Sequence, residues 1–180
     1  MNISNQLRMT VYASLFAALI AAGAFIAIPI GPVPIVLQNM FVLLAGIILG
    51  PRWGVASIGV YLLIGALGFP VFAGGTGGIG RLFGPTGGYL LAYLPCVFVT
   101  GVISEKLGKK LVYDIIAMVM GSLIVYAGGV PWLKAVTGMA WSKTIAVGMY
   151  PFIIGDILKI AAGAFAAKII RPVIQDLREK

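Results

Sequence analysis

The segment PFIIGDILKIAAGAFA, which runs from Pro151 to Ala166, is apolar throughout except for Asp156 and Lys159. Such a stretch predicts a helix that crosses a lipid bilayer, and Pro151 suits its first turn because the N–H that proline lacks would be unpaired there anyway. A charged side chain near the centre of a bilayer costs about 2.5–3.5 kcal/mol on insertion scales. Two opposite charges in this helix therefore predict a partner or a ligand for them.

The composition indicates an integral membrane protein. Hydrophobic residues make up 61% of the 180-residue chain, charged residues make up 10%, and the mean hydropathy is +1.07. Soluble domains carry about 25% charged residues, which is far more. The absence of His and the single Cys96 exclude an intrachain disulfide and a His/Cys metal site, and we expect no cofactor. We expect no nucleic acid partner either, because the basic residues form no run interleaved with aromatic residues.

Apolar segments separated by polar or glycine-rich stretches predict an all-α integral membrane protein with six transmembrane helices in a single domain, residues 1–180. The second and third segments are short for a hydrocarbon core about 30 Å thick, which needs about 20 residues. The predicted segments are Leu7–Ile28, Ile35–Leu49, Trp53–Gly68, Gly88–Ile103, Leu111–Gly128 and Ile145–Ile170.

The distribution of basic residues predicts the orientation in the membrane. With six spans, both termini lie on one side, and that side would carry nine of the basic residues: Arg8, Arg52, Lys106, Lys109, Lys110, Lys168, Arg171, Arg178 and Lys180. The opposite loops would carry three, Arg81, Lys134 and Lys143, with Lys159 inside the last span. By the positive-inside rule, we expect a multi-pass protein of the cytoplasmic membrane with both termini in the cytoplasm.

The three loops on the outer side are unusually apolar. They read IPIGPVPIVLQN (residues 28–39), GFPVFAGGTGGIGRLFGPTGG (residues 68–88) and GGVPWLKAVTGMAWSK (residues 128–143). We expect them to fold back over the outer helix ends, where non-helical backbone is tolerated if protein covers it. Trp132 and Trp141 of the third loop could also be simple interface anchors. Glycines beside Arg81 would allow backbone N–H groups to approach an anion.

Asp156 and Lys159 are spaced i and i+3, so they share one helix face near the predicted outer end. They could form a structural ion pair within one helix. They could also mark a ligand site, because ionisable groups inside membrane spans usually lie on a pathway or at a binding site. A polar site under apolar, glycine-rich loops would suit the capture of a small and partly apolar solute.

Three stretches carry a resemblance to a known family. They are the run from Pro29 to Gly78, FGPTGGYLLAY (residues 83–93) and YPFIIGDILK (residues 150–159). These stretches strongly resemble the BioY family. Its members are the biotin-specific substrate-binding (S) components of energy-coupling-factor (ECF) vitamin transporters. The resemblance extends over nearly the whole chain. It implies a six-helix protein that binds biotin at its outer side, with a transmembrane coupling subunit and two ATPase subunits as partners.

The resemblance also suggests which side chains would contact biotin. Asp156 would accept hydrogen bonds from the ureido N–H groups, and Lys159 would hold Asp156 ionised or donate to a ligand oxygen. Arg81 is the candidate for the carboxylate tail, with backbone N–H groups around Gly84–Gly88, Gly87 among them. Gln38 could complement the ureido group through its amide. The aromatic candidates for the walls around the ring system are Tyr89, Trp132 and Tyr150.

Small residues recur on the first predicted helix. Ala13, Ala17 and Ala21 lie at intervals of four, a spacing that lets another helix approach closely. In the transporter class that the chain resembles, such a pattern docks against the coupling subunit. Packing inside the bundle is the alternative, and Ala18 and Ala22 form a second small face.

Other functions remain open at this point. The chain contains no G-x-x-x-x-G-K-[ST] sequence, so a P-loop ATPase is excluded. An intramembrane hydrolase would need a nucleophile and a base, but the chain has no His and no G-x-S-x-G, so we expect no enzyme. An S component for another small vitamin and a membrane scaffold protein without a ligand are the remaining alternatives.

Overall fold

Long apolar helices form most of the chain. The structure, a computed structural model, describes residues 3–29, 31–108 and 110–179. Lys109 and Lys180, which enter the charge distribution above, lie outside the described residues. The elements are α1 (Ile3–Phe25), β1 (Ala27–Ile28), β2 (Ile35–Val36), α2 (Gln38–Ala66), α3 (Gly80–Phe83), α4 (Gly87–Leu107), α5 (Leu111–Thr137), α6 (Trp141–Gly148) and α7 (Tyr150–Glu179).

The predicted class, an all-α membrane protein, is confirmed. Four helical stretches of the described residues are long and apolar enough to cross a membrane, namely Asn5–Phe25, Gln38–Ala66, Gly87–Leu107 and Leu111–Thr137. The most extensive helix contacts are those of α4 with α2 and with α5, followed by those of α1 with α2. The α4 helix therefore lies at the centre of the packing.

The chain reverses direction inside α2, at Gly50. This residue has φ 81° and ψ 177°, a backbone conformation that essentially only glycine adopts, and Pro51 follows it. A Cβ built on Gly54 would lie 3.3 Å from the carbonyl oxygen of Ala45, although residues nine apart in a straight helix are separated by about 13 Å. Two antiparallel helical arms, residues 38–49 and 51–66, therefore meet at this turn. The sequence placed the boundary between its second and third segments here.

Several predicted helix boundaries are wrong. The fifth segment was expected to end at Gly128, but α5 continues through Pro131 to Thr137, because Val130 and Leu133 are buried in the core. Most of the predicted third outer loop is therefore helical, and Trp132 lies on α5. The last helix begins at Tyr150 instead of Ile145, because α6 ends at Gly148. The first helix ends at Phe25, and Ala27–Ile28 pair with Ile35–Val36 in a short antiparallel hairpin.

The alanines predicted as a docking face point into the protein. Ala13 and Ala17 are 4% and 5% exposed, and Ala21 packs against the core from a half-buried position. This prediction is corrected, because the alanines belong to the face of α1 that packs against α2. The outward face of α1 instead exposes Ser14, Ala18 and Ala22.

A buried ionic cluster joins α4, α5 and α7 at the end of the bundle opposite the β1–β2 hairpin. The Nη2 atom of Arg171 lies 2.8 Å from Oδ1 of Asp114, and the hydroxyl of Ser104 donates to the same oxygen at 2.7 Å. Asp114 is 1% exposed and Arg171 is 9% exposed. Each of these polar groups would be costly to bury alone. The ion pair and the hydrogen bonds among them therefore hold the three helices together.

Removal of the cation from this cluster should destabilise the protein strongly. We expect Arg171→Met to cost about 3–5 kcal/mol of unfolding free energy, because it leaves the Asp114 carboxylate buried without its counter-ion. Thermal unfolding of the purified protein in detergent measures the effect. Lys168→Met is the matched control, since Lys168 lies exposed on the same helix. Equal stability of the two variants would show that the cluster does not hold the helices together.

Candidate ligand-binding site

A cavity of about 500 Å³ lies between the helix ends at the hairpin side of the bundle. Its walls come from the β1–β2 hairpin, the start of α2, the loop before α3, the first half of α4 and the facing parts of α5 and α7. Its apolar surface includes Pro29, Pro32 and Pro34 of the hairpin, together with Phe72 and Phe152. The polar residues in its lining are Gln38, Asn39, Thr76, Arg81, Thr86, Tyr89, Tyr93, Tyr126 and Lys159.

The glycine-rich loop that covers the cavity is fixed by two aromatic anchors. Phe72 is 2% exposed, packs edge-on against Tyr61 with ring centroids 5.5 Å apart, and occupies the space left by Gly65, where a Cβ would clash with its ring. The indole N–H of Trp132 donates to the carbonyl oxygen of Gly84 at 3.0 Å. The loop thus has defined contacts to α2 and α5, and its non-helical backbone is covered by protein.

Asp156 and Lys159 form the ion pair that their spacing predicts. The Nζ atom of Lys159 lies 3.0 Å from Oδ1 of Asp156, and the hydroxyl of Tyr126 donates to Oδ2. Lys159 and Tyr126 line the cavity, whereas Asp156 is 6% exposed and lies behind them. The two residues thus form an ion pair within one helix, and Lys159 presents its charge to the cavity.

Two neighbouring amides lie where α2 begins, at the cavity wall. Gln38 is 1% exposed, and its amide lies beside the hydroxyl of the buried Tyr61, to which it can donate. Asn39 accepts a hydrogen bond at Oδ1 from the hydroxyl of Tyr93, which engages its carbonyl and leaves its NH₂ group available. The NH₂ group of Gln38 has two N–H donors, so it can serve both Tyr61 and a ligand acceptor.

The structure brings together part of the predicted site. Lys159, Arg81, Gln38 and Tyr89 all line the cavity, and the hydroxyl of Tyr89 donates to the carbonyl oxygen of Gly148 at 2.8 Å. Arg81 is placed by the short helix α3. These side chains come from four different helices, α7, α3, α2 and α4, and tertiary packing brings them to one cavity.

Four predicted residues lie outside the cavity lining, and Asp156, behind Lys159 and Tyr126, is one of them. Tyr150 is 62% exposed at the start of α7, so the structure does not place it at the cavity. Trp132 lies behind the wall, where it holds the loop. Gly87 allows α4 to begin close to the backbone of Leu82, where a Cβ would clash with the carbonyl oxygen.

Sequence reasoning missed Asn39, Tyr93 and Tyr126. Asn39 directly follows Gln38 in the sequence, and this adjacency was the one available signal. Tyr93 and Tyr126 lie in apolar segments, where a tyrosine is indistinguishable from an ordinary core aromatic until its hydroxyl partner is known.

The arrangement suits a small organic acid with a polar head. Lys159 and Arg81 supply positive charge to one cavity, the amides of Gln38 and Asn39 supply neutral hydrogen-bonding groups, and the aromatic rings supply apolar walls. Most of the volume is lined by apolar atoms, as in other small-molecule sites. Among the described residues no group of His, Cys, Asp or Glu could hold a metal ion.

Comparisons with known proteins agree with this architecture. The model of the BioY family matches residues 1–176. A probable biotin transporter BioY from Pyrococcus horikoshii is 44% identical over 86% of this chain and 91% of its own length, and the biotin transporter BioY from Thermotoga maritima is 40% identical over 89% and 94%. The crystal structure of the S-component for biotin from an ECF-type ABC transporter superposes with a TM-score of 0.90 at 31% identity, covering 96% of this chain and 95% of the other. The chain therefore belongs to the BioY family.

Proposed function

We propose that this chain is the substrate-binding subunit of an ECF-type transporter and that it binds biotin in the cavity for uptake across the cell membrane. The names of its relatives and the close structural match to a biotin S-component support the proposal. The observation that carries it is the cavity itself, which combines Lys159, Arg81 and the amides of α2 with apolar walls.

The chemistry of biotin matches the distribution of these groups. Its carboxylate tail requires a cation, and Arg81, at the glycine-rich loop, can make a charge-assisted hydrogen bond to it. Its ureido ring presents two N–H donors and one carbonyl acceptor. The Asp156–Lys159 pair can receive the donors and donate to the carbonyl, and Gln38 can complete the set. A cavity of about 500 Å³ falls in the range of small-molecule sites.

Asp156 would act on the ligand from behind the cavity surface. Both of its oxygens already have partners, but a carboxylate offers about four lone-pair sites and can accept further hydrogen bonds. Its negative charge also keeps Lys159 at a fixed position. The pair would thus present one donor and one acceptor to a neutral ring that carries both.

The energy for transport would come from other subunits. The chain has no P-loop, and the partner set of the ECF class is a transmembrane coupling subunit with two ATPase subunits. We place the docking surface on the exposed face of α1, where Ser14, Ala18 and Ala22 form a strip of small residues. The excess of basic residues at the opposite end from the cavity supports cytoplasmic termini, with the cavity opening outward.

Two alternatives compete with biotin uptake. An S component for another small vitamin would use the same fold with a different cavity, and the relative affinities for biotin, riboflavin and thiamine separate the two. A scaffold protein without a ligand would not need Gln38 and Lys159 at the wall of a cavity, and this observation favours a binding function.

Biotin binding to the isolated protein tests the proposal. Purified in detergent without partners, the chain should bind biotin in preference to riboflavin and thiamine, as measured by isothermal titration calorimetry. Biotin should also bind more tightly than biotin amide, because the amide lacks the charge that Arg81 would receive. Arg81→Met should weaken biotin binding by about ten- to hundredfold and remove its advantage over the amide.

The matched control for Arg81→Met is Lys134→Met, because Lys134 lies 5.2 Å from the ring centroid of Trp141 and outside the cavity lining. This variant should bind biotin like the parent protein. Tighter binding of another vitamin would overturn the choice of biotin. An unchanged preference for biotin over its amide in Arg81→Met would place the carboxylate elsewhere.

A bulky residue on the exposed face of α1 should separate transport from binding. Ala18→Trp should leave biotin affinity unchanged and abolish co-purification with the coupling subunit, because the indole would prevent close approach of a partner helix. Ala17→Trp, on the buried face, should instead destabilise the isolated protein by overpacking, by about 1–3 kcal/mol. Normal co-purification of Ala18→Trp would show that the docking surface lies elsewhere.

A further inference from the structure

A second concave site lies at the end of the bundle opposite the biotin cavity. A groove of about 480 Å³ is formed by the start of α1, the turn after Gly50 and the end of α4. On α4, Tyr93 lines the biotin cavity and Glu105 lines the groove, which puts the two sites about 18 Å apart along that helix. The groove is therefore separate from the proposed binding site.

The groove carries a net positive charge. Arg8 and Arg52 contribute two guanidinium groups to its lining, and Glu105 contributes one carboxylate. Glu105 lies directly against the turn, where a Cβ on Gly50 would clash with its Oε1 atom. Arg52 and Glu105 take part in neither ion pair of the described residues, Lys159–Asp156 and Arg171–Asp114, whereas Arg8 has a further interaction within the protein. Two positive charges and one negative charge match a ligand with a single negative charge.

The position and the floor of the groove are typical of a membrane interface. Met9 and Leu49 are buried at its base, and Trp53, half-buried, contributes an indole of the kind that is enriched at the level of lipid headgroups. Beside Arg8, the outer face of α1 exposes Leu7 and Val11, which are 63% and 62% exposed. A molecule held in the groove could thus extend an apolar part along α1 into the hydrocarbon region.

We propose that this groove binds the phosphoglycerol headgroup of an anionic phospholipid. The phosphate would lie between the guanidinium groups of Arg8 and Arg52, which form charge-assisted hydrogen bonds with phosphate oxygens. The glycerol hydroxyls donate to the carboxylate of Glu105, and one acyl chain follows Leu7 and Val11. A zwitterionic phosphocholine headgroup lacks both the net charge and the hydroxyl donors, so the site discriminates against it.

Lipid retention by the whole chain tests this site. The purified protein is equilibrated with micelles that contain equal amounts of phosphatidylglycerol and phosphatidylcholine, and native mass spectrometry counts the lipids that stay bound. We expect one phosphatidylglycerol to be retained in preference to phosphatidylcholine. In Arg52→Gln this retention should weaken by about ten- to hundredfold, as for loss of a hydrogen bond between charged groups.

Lys106→Gln is the matched control, because it removes the same charge from an exposed residue at the same end of α4, outside the groove. It should retain phosphatidylglycerol, and both variants should keep the parent affinity for biotin. The comparison of the two lipids on the parent protein decides the matter even if Arg52→Gln does not fold.

Three results would overturn the proposal. Equal retention of both lipids by the parent protein would remove the headgroup preference, and equal losses in the two variants would indicate diffuse surface charge. Displacement of the lipid by glycerol phosphate at equal concentration would show that the groove takes a soluble phosphate compound instead of a lipid. If Arg52→Gln keeps the lipid but loses the coupling subunit, the groove is a protein interface.

Discussion

Charged side chains inside a membrane protein need partners, and the Asp156–Lys159 pair shows how this chain meets that requirement. Its two members lie 3.0 Å apart, and Tyr126 donates to the second carboxylate oxygen. The Asp114–Arg171 pair at the other end of the bundle is closed by Ser104 and lines neither cavity. The first pair differs because Lys159 faces a cavity. An ion pair with one open side can exchange part of its interactions for those of a ligand.

The cavity depends on backbone that is not helical. A proline-rich hairpin and a glycine-rich loop cover it, and both would be unfavourable in contact with lipid, because their N–H and C=O groups are not paired within a helix. Phe72 and Trp132 attach the loop to α2 and α5, so that protein covers this backbone. Gly77 lies so close to the carbonyl oxygen of Phe69 that a Cβ would clash with it, so this glycine serves the packing of the cover.

The sequence predicts the membrane class and the presence of Arg81, Gln38 and Lys159 at one site. Both predictions use features that the sequence alone shows, namely long apolar segments and the isolated polar residues within or beside them. It predicts the break near Gly50 for the same reason. It failed at Pro131, where burial of Leu133 outweighs a local signal for a loop, and at Ala17, because small residues mark close approach without saying which helix approaches. Tyr126 and Tyr93 were missed because their roles rest on hydroxyl partners from distant segments.

Under the proposed function, the Asp156–Lys159 pair serves the ligand and contributes little to the fold. A buried ion pair can often be replaced by neutral groups without loss of stability. The double variant Asp156→Asn with Lys159→Met removes both charges and keeps an acceptor for Tyr126. The biotin affinity and the unfolding temperature of this variant test the role of the pair most directly. We expect an unfolding temperature close to that of the parent protein, with biotin affinity reduced by at least about a hundredfold. Retained biotin affinity, or unfolding at a much lower temperature, would contradict it.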